Sequence, residues 1–449
     1  MRVTTKNRFN LLTGGLALFV MLSVGCGDDA QEPWPTPTPA PTLTDVSPAE
    51  GSALGGTQLT LTGTNLATVT TVTVGGAAAT SIRIVGETTL TCLTPAGTPG
   101  VVDVAVTTGG GTATLASSYT YIPLVTIETV APATGSSFGG TKLTLTGSGF
   151  SSDEAGTNIV VVGGADCSDV NTVDDTQITC TSPSGTAGDV DVVITNDNGS
   201  ATLADGYDYF STILLADGGG EPAPAVHNLY AFDARSGRMD LAGPIGFAVT
   251  AMDFHPTTGV LYGTTATRTG CCPASGRELI TIDPATGAGT LVGPTNDADG
   301  VNHLIPGVTF VGDVLYGTDG PGNNLVTIDV TSGLVTVVAG GRPLGPGGAF
   351  AADAAGANVY YMTENTSTLW SVDVSTGVFT AGPPLEGSGG SLIVMSGATF
   401  HNGWLYAIES SSGIGIRQLV VVNTNEGFFS PVGPVIEGSA INAMASATR

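Results

Sequence analysis

One short phrase recurs five times in the C-terminal half of the chain and constrains its fold more than any other feature. It reads Asp233-Ala-Arg-Ser-Gly237, Asp283-Pro-Ala-Thr-Gly287, Asp329-Val-Thr-Ser-Gly333, Asp373-Val-Ser-Thr-Gly377 and, degraded, Asn423-Thr-Asn-Glu-Gly427. The spacings of 50, 46, 44 and 50 residues match the period of a four-stranded propeller blade. An Asp that accepts hydrogen bonds from its own backbone, followed by a glycine free to take positive φ, is the chemistry of a tight hairpin. The phrase is therefore a signature of fold and not of an active site.

Between these phrases lie strand-like runs such as Leu279-Ile-Thr-Ile282 and Leu325-Val-Thr-Ile328. Upstream of each come two further runs. One contains Gly-Val-Thr-Phe310, Gly-Gly-Ala-Phe350 or Gly-Ala-Thr-Phe400, and the next contains Leu261-Tyr262, Leu315-Tyr316, Val359-Tyr360 or Leu405-Tyr406. Four complete blades follow that order. A fifth is expected from Ile213–Ala216, Leu229–Asp233 and Met239–Gly243, completed by the C-terminal run Ile441–Ala445. Sharing one blade between both ends ties the ring and removes open edges. The short turns then gather on one face and the long connections on the other, where function usually lives.

The remaining composition fits this reading. At 449 residues the chain allows about three domains. Sixty-six glycines and only 11% charged residues suit short strands and many turns. The formal charge is −26, and nine bases face 38 acids once Arg2, Lys6 and Arg8 are set aside. Such a field repels phosphate backbones and argues against nucleic-acid binding.

Residues 1–25 carry a basic start and then the apolar run Leu16–Leu22, followed by Ser23-Val-Gly-Cys26. This arrangement resembles the lipobox of bacterial lipoproteins, with Ser23 where leucine is usual, and the resemblance implies acylation of Cys26. The apolar run is short for a membrane span, whereas several acyl chains on one residue anchor durably. The expected location is the outer membrane, lipid-anchored and facing the periplasm or the cell surface. Residues 26–42, with alternating Pro and Thr, are expected to form a semi-rigid stalk of about 3.1 Å per residue.

From Leu43 to Tyr209 the sequence is duplicated. Ser47-Pro-Ala-Glu-Gly-Ser-Ala-Leu-Gly-Gly-Thr57 matches Ala131-Pro-Ala-Thr-Gly-Ser-Ser-Phe-Gly-Gly-Thr141 at an offset of 84, which becomes 88 from Gly75/Gly163 onward. Each copy holds about seven alternating strands, as in an immunoglobulin-like sandwich. The Pro-x-x-Gly-x-x-x-Gly-Gly-Thr opening, the Val-Gly-Gly turn and the Cys-x-x-Pro strand resemble the IPT/TIG family. That resemblance implies spacer and protein-contact roles, and a bridge between Cys167 and Cys180. In the first copy Cys92 matches Cys180 but Ala79 replaces Cys167, so Cys92 is expected as a buried free thiol. Asn196-Asp-Asn-Gly199 reads as a type I′ hairpin.

The expected architecture is all-β: an IPT/TIG domain at 43–122, a second at 123–210, and a five-bladed propeller at 211–449 resembling secreted NHL- or YVTN-type blades. Candidate ligand-binding residues fall in its long connections: Arg268, Arg277, Arg342 and Arg417, with Asp297, Asp299 and His303. In so acidic a chain the arginines suit a carboxylate or sulfate. Asn296-Asp-Ala-Asp-Gly300 offers oxygens for calcium at Asp297 and Asp299, but lacks the spacing and terminal Glu of an EF-hand. Adjacent Cys271 and Cys272 suit a vicinal bridge, a redox or ligand platform, or partners elsewhere. No zinc spacing, nucleophile elbow or phosphate loop is present. His255 and His401 hold equivalent repeat positions on the short-turn face.

The function expected is noncatalytic binding or adhesion through the long-loop face, by a monomer, to a polysaccharide or a surface protein. An extracellular polysaccharide lyase or hydrolase is the rival, and a structural envelope component the third reading.

Overall fold

The computed structural model describes residues 38–151, 155–217, 227–266, 277–320, 322–341, 348–363, 368–386, 393–411, 417–436 and 441–447. They are almost wholly β, with one short 3-10 turn at Leu66–Thr68. None of their helices is long and apolar enough to cross a membrane.

Each sequence copy folds as a two-sheet sandwich of nine strands, two more than the alternation suggests, because short strands such as Glu50–Ser52 and Ala77–Ala78 join the larger sheet. The copies share their register down to irregularities. Both first strands bulge at the same place, between Leu43 and Asp45 and between Ile127 and Thr129. Alternating side chains supply the cores: Leu59, Leu61, Leu90 and Val104 in the first, Leu143, Leu145, Ile178 and Val192 in the second. In each, two tyrosines meet edge to face, and the second donates its hydroxyl to a carbonyl, Tyr121 to Pro95 and Tyr209 to Pro183, both at 2.7 Å. The turn expected as type I′ is not one. That type needs positive φ at Asp197 and Asn198, and only Gly199 takes it there (φ 133°). Asn196 instead bonds inward, donating its amide to Gly149 and Asn158.

The C-terminal region contains five open four-stranded sheets. The second to fifth are contiguous in sequence, from Val249–Pro294, Gly307–Gly340, Gly348–Pro384 and Ile393–Ile436. The first combines Thr212–Asp217, Asn228–Asp233 and Met239–Pro244 with the last strand, Ile441–Ser446, which pairs antiparallel to Thr212–Asp217. This is the pairing expected from the sequence. The strands Ile441–Ser446, Val249–Phe254, Gly307–Val311, Gly348–Ala352 and Ile393–His401 pack side by side in that order, and the fifth returns to the first. A buried carboxylate helps join them. Asp253 accepts from the Phe310 amide (2.7 Å) and the Thr309 hydroxyl (3.1 Å), and Thr309 Oγ1 accepts from the Ala352 amide.

The repeated phrase forms the turn its chemistry demands. At all five sites the glycine donates its amide to the carbonyl of the leading Asp or Asn, whose side chain accepts from the amide two residues on. All five glycines have φ between 72° and 79°. Four of them, Gly287, Gly333, Gly377 and Gly427, also sit where sheets meet: a Cβ on Gly333 would lie 2.8 Å from the Pro294 carbonyl oxygen of the preceding sheet. Positive φ and close approach together leave glycine little competition.

One register differs from the sequence reading. Phe254, Phe310 and Phe400 lie opposite Leu261, Leu315 and Leu405, but Val359 faces Ala352, while Phe350 sits opposite Tyr361. The Gly-Gly-Ala-Phe motif is thus displaced by two residues. A two-residue shift keeps each side chain on its own face, so Phe350 remains buried against Tyr361.

Candidate functional site

The second sandwich meets the first two sheets without a linker, since Phe210 ends one strand and Thr212 begins the next. Ser136 Oγ and Thr212 Oγ1 lie 3.0 Å apart. Arg238 donates to the Thr134 carbonyl (3.1 Å), pairs with Asp240 (2.9 Å) and lies over the Phe210 ring. Arg235 reaches Asp208, and Phe138 stacks on Phe254 at 5.2 Å with 9° between the planes. All of this occupies the side that carries the Asp-x-x-Ser/Thr-Gly turns. The long connections lie at the other ends of the strands.

Where the five innermost strands converge, the side chains are small or apolar, including Ala251, Val308, Ala349, Ala398 and Ala443. They leave about 10 Å³, room for no more than a single water. The space along the axis is therefore filled by these side chains.

The best described of these loops joins the second and third sheets and contains Asp297, Asp299 and His303. Asp297 organises it: Oδ1 accepts from the amides of Asp299 (3.0 Å) and Val301 (2.8 Å), and Oδ2 lies 3.1 Å from His303 Nε2. The Val301 amide, then the histidine, hold this carboxyl below its usual range. On its other side His303 places Nδ1 3.2 Å from Oδ2 of Asp319, a fully buried residue. Both ring nitrogens thus face carboxylates. Arg277 donates to the Asn302 carbonyl (2.8 Å), and Asn302 donates its side-chain amide to Asn296 and to the Arg277 carbonyl.

These bonds hold the loop's candidate residues in place. Arg277, read as an anion ligand, braces the chain. Asp297, read with Asp299 as a calcium site, has both oxygens engaged, and among the described residues no group of three or more His, Cys, Asp or Glu is arranged to hold a metal ion. The structure brings Asp297 and His303 together and leaves Asp299 outermost. Arg417 begins the strand Arg417–Val422. Arg268, Arg342, Cys271, Cys272 and Cys26, with the leader and most of the stalk, lie outside the described residues.

Sequence reasoning missed Asp319, together with Asp217 and Glu409. Each is the fifth residue of a strand segment that starts at Leu315, Ile213 or Leu405, so aligning the repeats by register reveals them. Burial raises the Glu409 carboxyl above its ordinary range. On the opposite face, His401 is buried with Nδ1 2.7 Å from Ser446 Oγ, and burial lowers its pKa.

In the sandwiches, Cys92 is a buried thiol pushed up to about 11 by burial. Cys167 and Cys180 are two buried thiols whose Sγ atoms lie 2.7 Å apart.

Residues 41–121 and 125–210 match the IPT/TIG domain. Fibrocystin-L of Homo sapiens is 31% identical over 198 residues, which is 43% of this chain and 4% of that protein. Among solved structures, a protein of unknown function from Bacteroides thetaiotaomicron is 15% identical over 72% of this chain and 93% of its own, with a TM-score of 0.34. An auxiliary nutrient binding protein from Bacteroides ovatus is 17% identical over 71% of this chain and 72% of its own, with a TM-score of 0.29.

Proposed function

We propose that this protein is a noncatalytic recognition protein of the cell surface, in which two IPT/TIG sandwiches carry a five-bladed β-propeller and the propeller's long-loop face binds a polysaccharide or surface protein. The observation that carries this reading is the joint. Phe138, Arg238 and Arg235 tie the second sandwich to the short-turn side, opposite the strand ends from which the long connections leave. The five-bladed reading is supported by five four-stranded sheets whose innermost strands pack in cyclic order. A filled axis favours binding over chemistry, because a propeller enzyme works with ionisable groups converging on an open channel. The groups on the described loop are instead spent on each other: Asp297 on two amides and His303, Arg277 on a carbonyl.

Acylation of Cys26 belongs to the same reading, with residues 26–42 as the stalk. Cys26→Ser is expected to release the protein from membranes or leave its leader uncleaved, as fractionation and mass spectrometry would read.

Binding is tested by presenting the full chain to arrays of glycans and of extracellular proteins. Any hit should weaken in Asp299→Ala or Arg268→Ala, on the long-loop face, and persist in Glu128→Ala on the second sandwich. Equal loss in all three, or loss only in Glu128→Ala, would move the site off the propeller.

A further inference from the structure

The second–third and fourth–fifth sheet joints are built alike, yet only one is closed. Both combine a six-residue turn in the leading sheet (255–260 and 353–358) with a four-residue turn in the following one (311–314 and 401–404), in matching registers. Both place a tyrosine of the leading sheet near a phenylalanine of the next: Tyr262 and Phe310 at 5.8 Å, Tyr360 and Phe400 at 6.1 Å. At the second–third joint His255 covers Phe310 at 4.9 Å, and Thr257 donates its hydroxyl to Asp313 at 2.6 Å, sealing the crevice. At the fourth–fifth joint the equivalents of His255, Thr257 and Asp313 are Asp353, Ala355 and Gly403. All three closing groups are shortened together, and a cavity of about 470 Å³ remains.

Other joints also bring side chains together, although the first–second joint keeps a cavity of about 300 Å³ beside the sandwich. Phe138 of the sandwich stacks on Phe254 at the first–second, Val311 lies against Gly356 at the third–fourth, and His401 meets Ser446 at the fifth–first. The fourth–fifth crevice falls in the size range of small-molecule sites. Its floor is Tyr360 and Phe400, and its rim Asp353, Asn358, Thr424 and Asn425. Asp353 accepts from the Ala357 amide on Oδ1 and from Asn358 Nδ2 on Oδ2, which fixes its orientation and leaves a second lone pair on each oxygen. The turns that form its walls lead directly into Trp404 and Phe428, which are 61% and 57% exposed.

We propose that this crevice is a saccharide-binding site, separate from the long-loop face. A sugar ring presents C–H bonds on its faces and hydroxyls around its edge. The C–H faces pack on aromatic rings, whose faces are electron-rich. The hydroxyls each need a donor and an acceptor, which a carboxylate and two carboxamides provide. A net-acidic surface favours a neutral sugar over an anionic one.

The test labels the full chain with 5-fluorotryptophan, which gives three fluorine signals from Trp34, Trp370 and Trp404. The Trp404 signal is identified by its loss in Trp404→Phe. Methyl glycosides of glucose, galactose, mannose, xylose, N-acetylglucosamine and glucuronic acid are titrated separately, beside the blocked peptide Ser-Ser-Phe-Gly-Gly, the sequence of residues 136–140. At least one neutral glycoside should shift the Trp404 signal, and Asn425→Ala should weaken that response about tenfold, as loss of a hydrogen bond to a polar ligand does. Asp353→His, which copies the closed joint, should abolish it while the protein stays folded. No response to any glycoside, or an unchanged response in Asp353→His, would overturn the proposal. A response to the peptide alone would also overturn it, making the crevice a socket for an aromatic loop of a protein. Array binding through the long-loop face should survive Asp353→His, so the two sites fail independently.

Discussion

The sandwiches and the sheet assembly close themselves in opposite ways. Each sandwich is completed within one contiguous stretch: its second strand, Glu50–Ser52 or Thr134–Ser136, pairs parallel with its own last strand. The sheet assembly is completed only when Ile441–Ser446 joins Thr212–Asp217, across almost the whole C-terminal half. Local closure makes a module that folds by itself. Distal closure makes every sheet depend on the chain's end, so the assembly should melt as one unit while the sandwiches melt separately.

The largest effect that can break this comparison is deletion of residues 441–449. It removes the fully buried Ile441, Ala443, Met444 and Ala445 and uncovers Leu214 and Ala216. Losing Ile441 and Met444 at about 2–5 kcal/mol each, together with a whole strand's pairing, exceeds what such an assembly can spare. Calorimetry should lose the assembly's transition entirely and retain that of the sandwiches. A truncated protein with both transitions in place would refute distal closure.

Next comes the contrast between the two sandwiches themselves. If Cys167 and Cys180, thiols in this structure, join under oxidising conditions, Cys180→Ser should cost the second sandwich about 3 kcal/mol, through loss of a bridge that closes a short loop. Cys92→Ser should cost the first only about 1 kcal/mol, for a hydroxyl in an apolar pocket. Denaturant titration of each variant with and without reductant checks this. A reductant-insensitive difference would mean that Cys167 and Cys180 remain thiols.

Joint strength is the third test. Phe138 and Leu54 hold the same place in the two sandwiches, but Phe138 stacks on Phe254, whereas Leu54 is 56% exposed beside Gly199. Phe138→Ala should cost about 2 kcal/mol of coupling and make the Phe210–Thr212 junction cleavable by protease. Leu54→Ala should stay within about 0.5 kcal/mol. Equal effects would show that the tip residue does not set joint rigidity.

The smallest effect is one of pH. Burial favours neutral His401, so its folded pKa lies below the unfolded value near 6.5. For a base with a lowered folded pKa, the contribution is intact above the unfolded value and is lost as pH falls through it toward the folded one. His401 touches Ser446 of the closing strand, so the assembly's melting temperature should drop between about pH 7 and pH 5. His401→Gln should flatten part of that slope.

Much of the fold was legible because its signals are local. The Asp-x-x-Ser/Thr-Gly turns carry their own hydrogen bonds, and the duplicated sandwich is visible by offset alone. The run Ile441–Ala445 was recognisable as an orphan strand lacking a blade. The candidate site was less legible. His303 and Asp297 were found, but their partner Asp319 was not, since it lies on another strand and no short motif links it to them. Arg277 looked available only because its acceptor, the Asn302 carbonyl, is brought back by a loop.

Turns, duplication and strand order are written into the amino-acid order, because hydrophobic period and turn chemistry act between near neighbours. Tertiary structure alone decided three things: the two-residue displacement of Gly348–Ala352, the commitment of Arg238 and Arg277 to internal acceptors, and the opening of one joint while its twin is sealed. Each depends on which side chains from distant segments meet in one crevice. That is a property of packing, where shortening three groups at once leaves a cavity that no single position reveals.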